Sequence, residues 1–114
     1  MGNKEHKIQT LELISILQKI EFEIYKGKEA SKRWGTPEGN PVAVIHLSRA
    51  EYFTKFYKWP SELKESVDKL LKWLKKYRQT LQDYDVTYGS MYKTRLENAF
   101  LGLENLVYTR ILEH

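Results

Sequence analysis

The sequence predicts an all-α protein, a small antiparallel four-helix bundle folded as a single domain. Apolar residues recur at spacings of three and four along most of the chain, and short segments with Gly or Pro interrupt that pattern at three places. The length of 114 residues suits one domain. Residues 1–111 are assigned to this domain, while residues 112–114, Leu-Glu-His, resemble the start of an expression tag.

The first predicted helix begins near His6. Its inner face is expected to hold Leu13, Leu17, Ile20 and Ile24, widened by Leu11 and Phe22. The polar arc on the other side is expected to hold Glu12, Ser15, Lys19 and Glu23. The helix could end at Gly27 or continue to Trp34. The longer form is favoured because Ala30 and Trp34 are four residues apart.

The second predicted helix follows a loop at residues 35–40, in which Asn40 is read as the N-cap and Pro41 as the first helical residue. Residues 42–47 are β-branched and would also suit a short strand, followed by a helix from Arg49. A lone strand without a partner is unstable, so one helix over residues 41–58 is favoured. Its predicted inner face holds Val42, Ile45, Tyr52, Phe53 and Phe56.

Trp59-Pro60 ends that helix, because the residue before proline avoids the α region. The third predicted helix spans residues 61–84, and its inner face holds Leu63, Val67, Leu70, Leu74, Tyr77 and Leu81. The fourth spans residues 91–111, after a possible cap at Ser90, and its inner face holds Tyr92, Leu96, Ala99, Leu103, Leu106, Val107 and Ile111. Short connections favour antiparallel neighbours.

Composition excludes several classes of protein. The chain has no Cys, which rules out disulfides, thiolate metal sites and a Cys nucleophile. We expect a reducing compartment, most simply the cytoplasm, since no signal peptide and no membrane-spanning stretch is recognised. No phosphate-binding loop is present, and His6 and His46 are too far apart to suggest a ligand pair. We therefore expect no enzyme activity, no metal and no cofactor.

Residues 49–78 hold nine of the 19 Lys and Arg, only four of the 15 Asp and Glu, and seven of the 15 aromatic residues. The basic side chains could neutralise phosphates, which makes nucleic-acid binding the alternative function. The favoured interpretation is a solvated helix face, because Glu65 and Asp68 each precede a lysine by four residues and would pair with it. The candidate nucleic-acid face comprises Lys58, Lys69, Lys72, Lys75, Lys76 and Arg78.

The preferred function is a non-catalytic interaction module that binds a protein partner or a second copy of itself. Leu101 and Tyr108 lie seven residues apart on the side of the fourth helix away from its predicted inner face. Val44 and Leu47 do the same on the second helix, and contiguous apolar strips mark interfaces. Exposed aromatic residues are enriched in binding hot spots, and Tyr57 and Trp59 are expected to be exposed. The candidate protein interface is therefore Val44, Leu47, Tyr57, Trp59, Leu101 and Tyr108.

Overall fold

The computed structural model describes residues 3–112, with side chains described for residues 9–111. It confirms the predicted fold class. Four helices, α1 (Asn3–Ser31), α2 (Asn40–Phe56), α3 (Lys64–Gln82) and α4 (Gly89–Leu112), form one elongated bundle of 52 × 21 × 19 Å. A short 3₁₀ helix, Ser61–Leu63, precedes α3. Of the predicted tag residues, Leu112 ends α4, and residues 113 and 114 lie outside the described part.

Neighbouring helices are antiparallel and pack in chain order, whereas α1 and α4 touch only lightly. Among the described side chains, two polar contacts join these outer helices. Lys28 Nζ lies 3.1 Å from Glu97 Oε2, and Arg110 Nη2 donates to Gln9 Oε1 over 3.0 Å. The carboxyl end of α1 therefore meets the amino-terminal part of α4.

Helix α1 passes through Gly27, as the favoured longer form predicted, and ends at Ser31, three residues before Trp34. The four residues of its predicted inner stripe are buried, and so is Ile16. Leu11 and Phe22, predicted to widen that face, are instead exposed. Glu23 was predicted in the polar arc, which is wrong: it is only 7% exposed, because it lies on the side of α1 that packs against α2.

Helix α2 is continuous, so the favoured helical interpretation is confirmed. Of its predicted inner face, Val42 and Phe53 are half-buried and pack against the core, but the other three residues are wrongly assigned. Its buried residues are Asn40, Ala43, Leu47, Ala50 and Thr54. Ile45, Tyr52 and Phe56 point outward. The physical reason is close packing: small residues let α2 approach both neighbours, and a ring in their place would force the helices apart.

This orientation of α2 also contradicts the prediction that Val44 and Leu47 form an outer apolar strip. Leu47 is completely buried and Val44 is half-buried, with Leu47 packed against the α1 backbone at Gly27. Tyr57 and Trp59, predicted as exposed, are half-buried and pack against the core. The Trp59 Nε1–H donates to the Thr54 carbonyl over 2.8 Å, which fixes the ring at the end of α2.

Asn40 does not act as the predicted N-cap, because the α2 cap is Gly39 and no side chain caps it. The buried Asn40 amide instead accepts a hydrogen bond from Gly35 N (2.9 Å) and donates one to the Leu81 carbonyl (2.8 Å). It thereby joins the α1–α2 loop to the carboxyl end of α3.

The predicted inner face of α3 is confirmed, since all six of its residues are buried. On α4, Leu96, Leu103 and Val107 are buried as predicted. Leu106 is 44% exposed, and Phe100, outside the predicted stripe, is buried in its place. The helix begins at Gly89 rather than Met91.

Candidate functional site

The outward face of α2 carries two strongly exposed aromatic rings, Tyr52 and Phe56. Ile45, Arg49, Tyr52 and Phe56 are spaced four, three and four apart, so they form one strip about 17 Å long. Phe53 borders it. We call these five residues, with Lys55, the α2 outer surface. Tyr52 and Phe56 are 61% and 65% exposed, whereas the residues directly behind them are Ala50 and Thr54.

The rings of this surface contact one another. The Tyr52 centroid lies 4.9 Å from that of Phe56 and 6.1 Å from that of Phe53. Cations flank them: Lys55 Nζ is 5.5 Å from the Phe56 centroid, and Lys19 Nζ of α1 is 6.0 Å from that of Phe53. A cation near an aromatic face is attracted by the negative charge of the ring face.

Arg49 adds a third cation to the strip. Its Nη1 is 4.0 Å from Oε1 of the buried Glu23, at the limit of an ion pair, while Glu23 Oε2 lies 2.8 Å from His46 Nδ1. The guanidinium is mostly exposed. The α2 outer surface is thus an apolar centre with a positively charged rim, which suits a partner with acidic groups.

A second surface lies where α3 meets α4. Trp73, Tyr92 and Tyr88 follow one another with ring centroids 5.9 Å apart at each step. Tyr88 is the most exposed of these rings, and Trp73 and Tyr92 are half-buried. We call these rings, together with Lys69, Lys72, Lys76 and Arg95, the α3–α4 groove. Part of it is an open cavity of about 370 Å³, lined by Lys69, Lys72, Trp73, Arg95, Asn98 and Ala99.

Three of the groove's cations lie over its rings. Lys72 Nζ and the Arg95 guanidinium carbon are 4.8 Å and 5.3 Å from the Trp73 centroid, and Lys76 Nζ is 5.6 Å from that of Tyr92. None of the groove cations forms an ion pair with a carboxylate of the described residues. The pairs expected between Glu65 and Lys69, and between Asp68 and Lys72, are therefore not formed.

The structure divides the predicted nucleic-acid face. Lys69, Lys72 and Lys76 lie together along the groove, whereas Lys75 is about 160° around α3 from Trp73. Arg78 is committed elsewhere, because both Nε and Nη2 donate to the Glu51 carboxylate of α2. Lys58 lies in the connection after α2.

Sequence reasoning missed the contribution of α4 to this groove. Tyr92 was assigned to the inner face, and neither Tyr88 nor Arg95 was included. Tyr88 immediately precedes α4, and its carbonyl accepts the Tyr92 N–H over 2.9 Å. The spacing of four and three between Tyr88, Tyr92 and Arg95 is helical and was the available signal.

The predicted strip on α4 is exposed, with Leu101 at 51% and Tyr108 at 45%. Glu104 lies between them on the same side of the helix. Partial burial, and to a lesser extent the Glu21 carboxylate of α1, raises the pKa of Glu104. The Glu104 carboxylate thus interrupts the apolar strip between Leu101 and Tyr108.

The described residues lack a cluster of metal ligands and a membrane-spanning helix. They contain no group of three His, Asp or Glu side chains that could hold a metal ion. None of their helices combines the length and the apolar character needed to cross a membrane. The His46 ring is engaged with Glu23 between α1 and α2.

Comparison of the chain with protein-family models found no match, and neither did comparison with curated proteins or with solved structures. The surfaces themselves are therefore the basis for any functional conclusion.

Proposed function

We propose that this protein is a non-catalytic interaction module of the cytoplasm that binds an acidic, amphipathic segment of a protein partner on the α2 outer surface. The supporting observation is the orientation of α2, whose small residues face inward and whose large aromatic residues face outward. Ordinary amphipathic helices have the reverse arrangement. Two of the rings are more than 60% exposed, which stability alone does not require.

The chemistry of the surface supports that choice of partner. Aromatic anchors give docking surfaces most of their binding energy. An amphipathic helix can place apolar side chains against such a strip at spacings of three and four. Its acidic residues would then meet Lys19, Arg49 and Lys55 at the rim. Self-association through this surface is disfavoured, because a two-fold contact would bring like charges together.

Selection from a random peptide library displayed on phage tests this proposal. The full chain is immobilised, and clones are also screened against Tyr52→Ser with Phe56→Ser. We expect enriched peptides to combine Asp or Glu with aromatic or aliphatic residues at helical spacing, and to lose at least ten-fold in affinity for the variant. Since both rings are exposed, the melting temperature should stay within about 4 °C of the wild type, as for other surface substitutions.

Leu101→Ser with Tyr108→Ser is the matched control, because it removes two comparably exposed apolar side chains from α4. Selected peptides should bind this control variant as tightly as the wild type. If the peptides lost binding only to the control variant, the interface would lie on α4 rather than on α2, which would contradict the proposal. Enrichment of basic peptides, or of no peptides, would contradict the proposal. So would light scattering that shows a dimer of the wild type and of the control but a monomer of the α2 variant.

A further inference from the structure

The α3–α4 groove brings four cations together. Its four cations lie within about 10 Å along the helix axes, since Lys69 and Lys76 are seven residues apart. Together they equal the formal net charge of +4, so the rest of the chain is neutral on balance. Arg78 shows the contrasting case on the same helix, because the Glu51 carboxylate neutralises it. The groove therefore concentrates positive charge that no acidic side chain of the described residues pairs with.

The rings distinguish this groove from a simple anion site. A phosphate alone needs cations or N–H donors, and gains nothing from Trp73, Tyr92 and Tyr88 in succession. Single-stranded nucleic acid uses both features, because its backbone contacts cations while its bases stack on aromatic faces. Duplexes bury their bases, so they would use only the charges. Tyr88 is the ring best placed to stack with a base, being 53% exposed.

From these observations we propose that the α3–α4 groove binds single-stranded nucleic acid without strong sequence preference. The cations of the groove contact phosphates, and Tyr88 stacks on a base at the end of the row of rings. This site is independent of the α2 outer surface, so either proposal can fail without the other.

Fluorescence anisotropy of a labelled oligonucleotide tests the proposal. Poly-dT and poly-U of about 12 nucleotides, within the range of known site sizes, are titrated with the full chain at several salt concentrations. If four phosphates are neutralised, the slope of log K against log salt should be about −2.8. A hairpin duplex of equal charge should bind more weakly. No binding of the single strands at low salt would overturn the proposal.

Two double variants separate the groove from overall charge. Lys72→Gln with Arg95→Gln removes two groove cations. Lys64→Gln with Lys75→Gln removes two exposed cations of α3 that do not line the cavity and changes the net charge equally. The groove variant should bind at least ten-fold more weakly, with a slope smaller in magnitude by about 1.4. The control should bind within about three-fold of the wild type, and equal losses in both would show that net charge alone is responsible.

A third variant tests the ring. Tyr88→Ala should weaken binding of the single strands about five-fold or more while leaving the salt slope unchanged, because stacking involves no counterion release. Heparin, a polyanion without bases, should not distinguish this variant from the wild type. Unchanged oligonucleotide affinity, or an equal loss for heparin, would contradict base stacking at Tyr88.

Discussion

Gly27 of α1 packs directly against Leu47 of α2. A β-carbon placed on Gly27 would lie 2.8 Å from Leu47 Cγ and 3.0 Å from its Cδ2. Leu47 is completely buried, so it has no solvent space into which to move. The contact explains why a glycine occupies the interior of a long helix, where it costs up to about 1 kcal/mol relative to alanine.

Gly27→Ala should therefore destabilise the protein by about 1–2 kcal/mol, because overpacking outweighs the gain in helix propensity. Gly102→Ala is the matched control: it lies in the interior of α4, and its β-carbon would meet open space. That control should stabilise by about 0.5–1 kcal/mol. Urea unfolding measures both. If Leu47→Ala is introduced first, Gly27→Ala should no longer be harmful, and an unchanged penalty would disprove the contact.

Asn40 offers a test with a pH signature. Asn40→Ala should cost about 1–3 kcal/mol, because it removes from a buried site both a donor to the Leu81 carbonyl and the acceptor for Gly35 N–H. Asn40→Asp should cost more at neutral pH, since a carboxylate cannot donate to that carbonyl. A favourable interaction with the α2 dipole, about 0.3–1 kcal/mol, is too small to compensate.

Burial beside a carbonyl favours the protonated form of that aspartate, which can donate a hydrogen bond. The folded-state pKa is then raised, so the lost stability should return as the pH falls toward about 4. Chemical unfolding of the two variants at neutral and acidic pH measures this. A constant difference between alanine and aspartate across that range would contradict the assigned hydrogen bonds.

Tyr77 links α3 to α1, since its hydroxyl donates to Ser31 Oγ over 3.0 Å. Tyr77→Phe should cost about 1 kcal/mol at neutral pH. Burial raises the pKa of Tyr77 above its ordinary value of 10.0. The native state therefore holds this proton more tightly than the unfolded state, and the stabilisation is present below pH 10 and lost as the pH rises through the raised value.

The stability difference between wild type and Tyr77→Phe should accordingly shrink above pH 10. Urea midpoints taken across the alkaline range measure it. Ser31→Ala should reduce the neutral-pH difference, because it removes the acceptor, and a difference independent of pH would refute the role given to the phenol.

Glu104 should limit stability at neutral pH. Its raised pKa means that the native state favours the protonated carboxyl, so stability falls as the pH rises from 4.5 through the raised value. Glu104→Gln should stabilise by no more than about 0.5 kcal/mol at neutral pH, given its solvent exposure. The gain should vanish near pH 4. Glu21→Gln should reduce the gain, and equal effects at both pH values would exclude an electrostatic cause.

The limits of sequence reasoning follow from how each helix packs. Helix α3 has a single apolar stripe opposite a charged arc, so its inner face could be predicted in full. Helix α2 has two candidate inner faces, one with aromatic rings and one with Ala43 and Ala50. Ranking the faces by hydrophobicity selects the one with the rings. The preference for small residues depends on the distance to the neighbouring helices, which a single sequence does not contain.

The same limit applies to the candidate surfaces. Leu101 and Tyr108 were correctly predicted to be exposed, because α4 has only one face toward the core at those positions. Predicting the α3–α4 groove would have required knowing which residues of α3 lie beside which residues of α4. The spacing within each helix was available, but their alignment across the contact was not.

Because α2 meets its neighbours mainly through small side chains, its outer residues can change without disturbing the interior. Under the proposed function, substitutions at Ile45, Tyr52 and Phe56 would alter what the protein recognises while the fold persists. Related chains could therefore acquire different partners through substitutions at these positions, and each variant along the way would still fold. The bundle would then serve as a scaffold whose specificity can be exchanged.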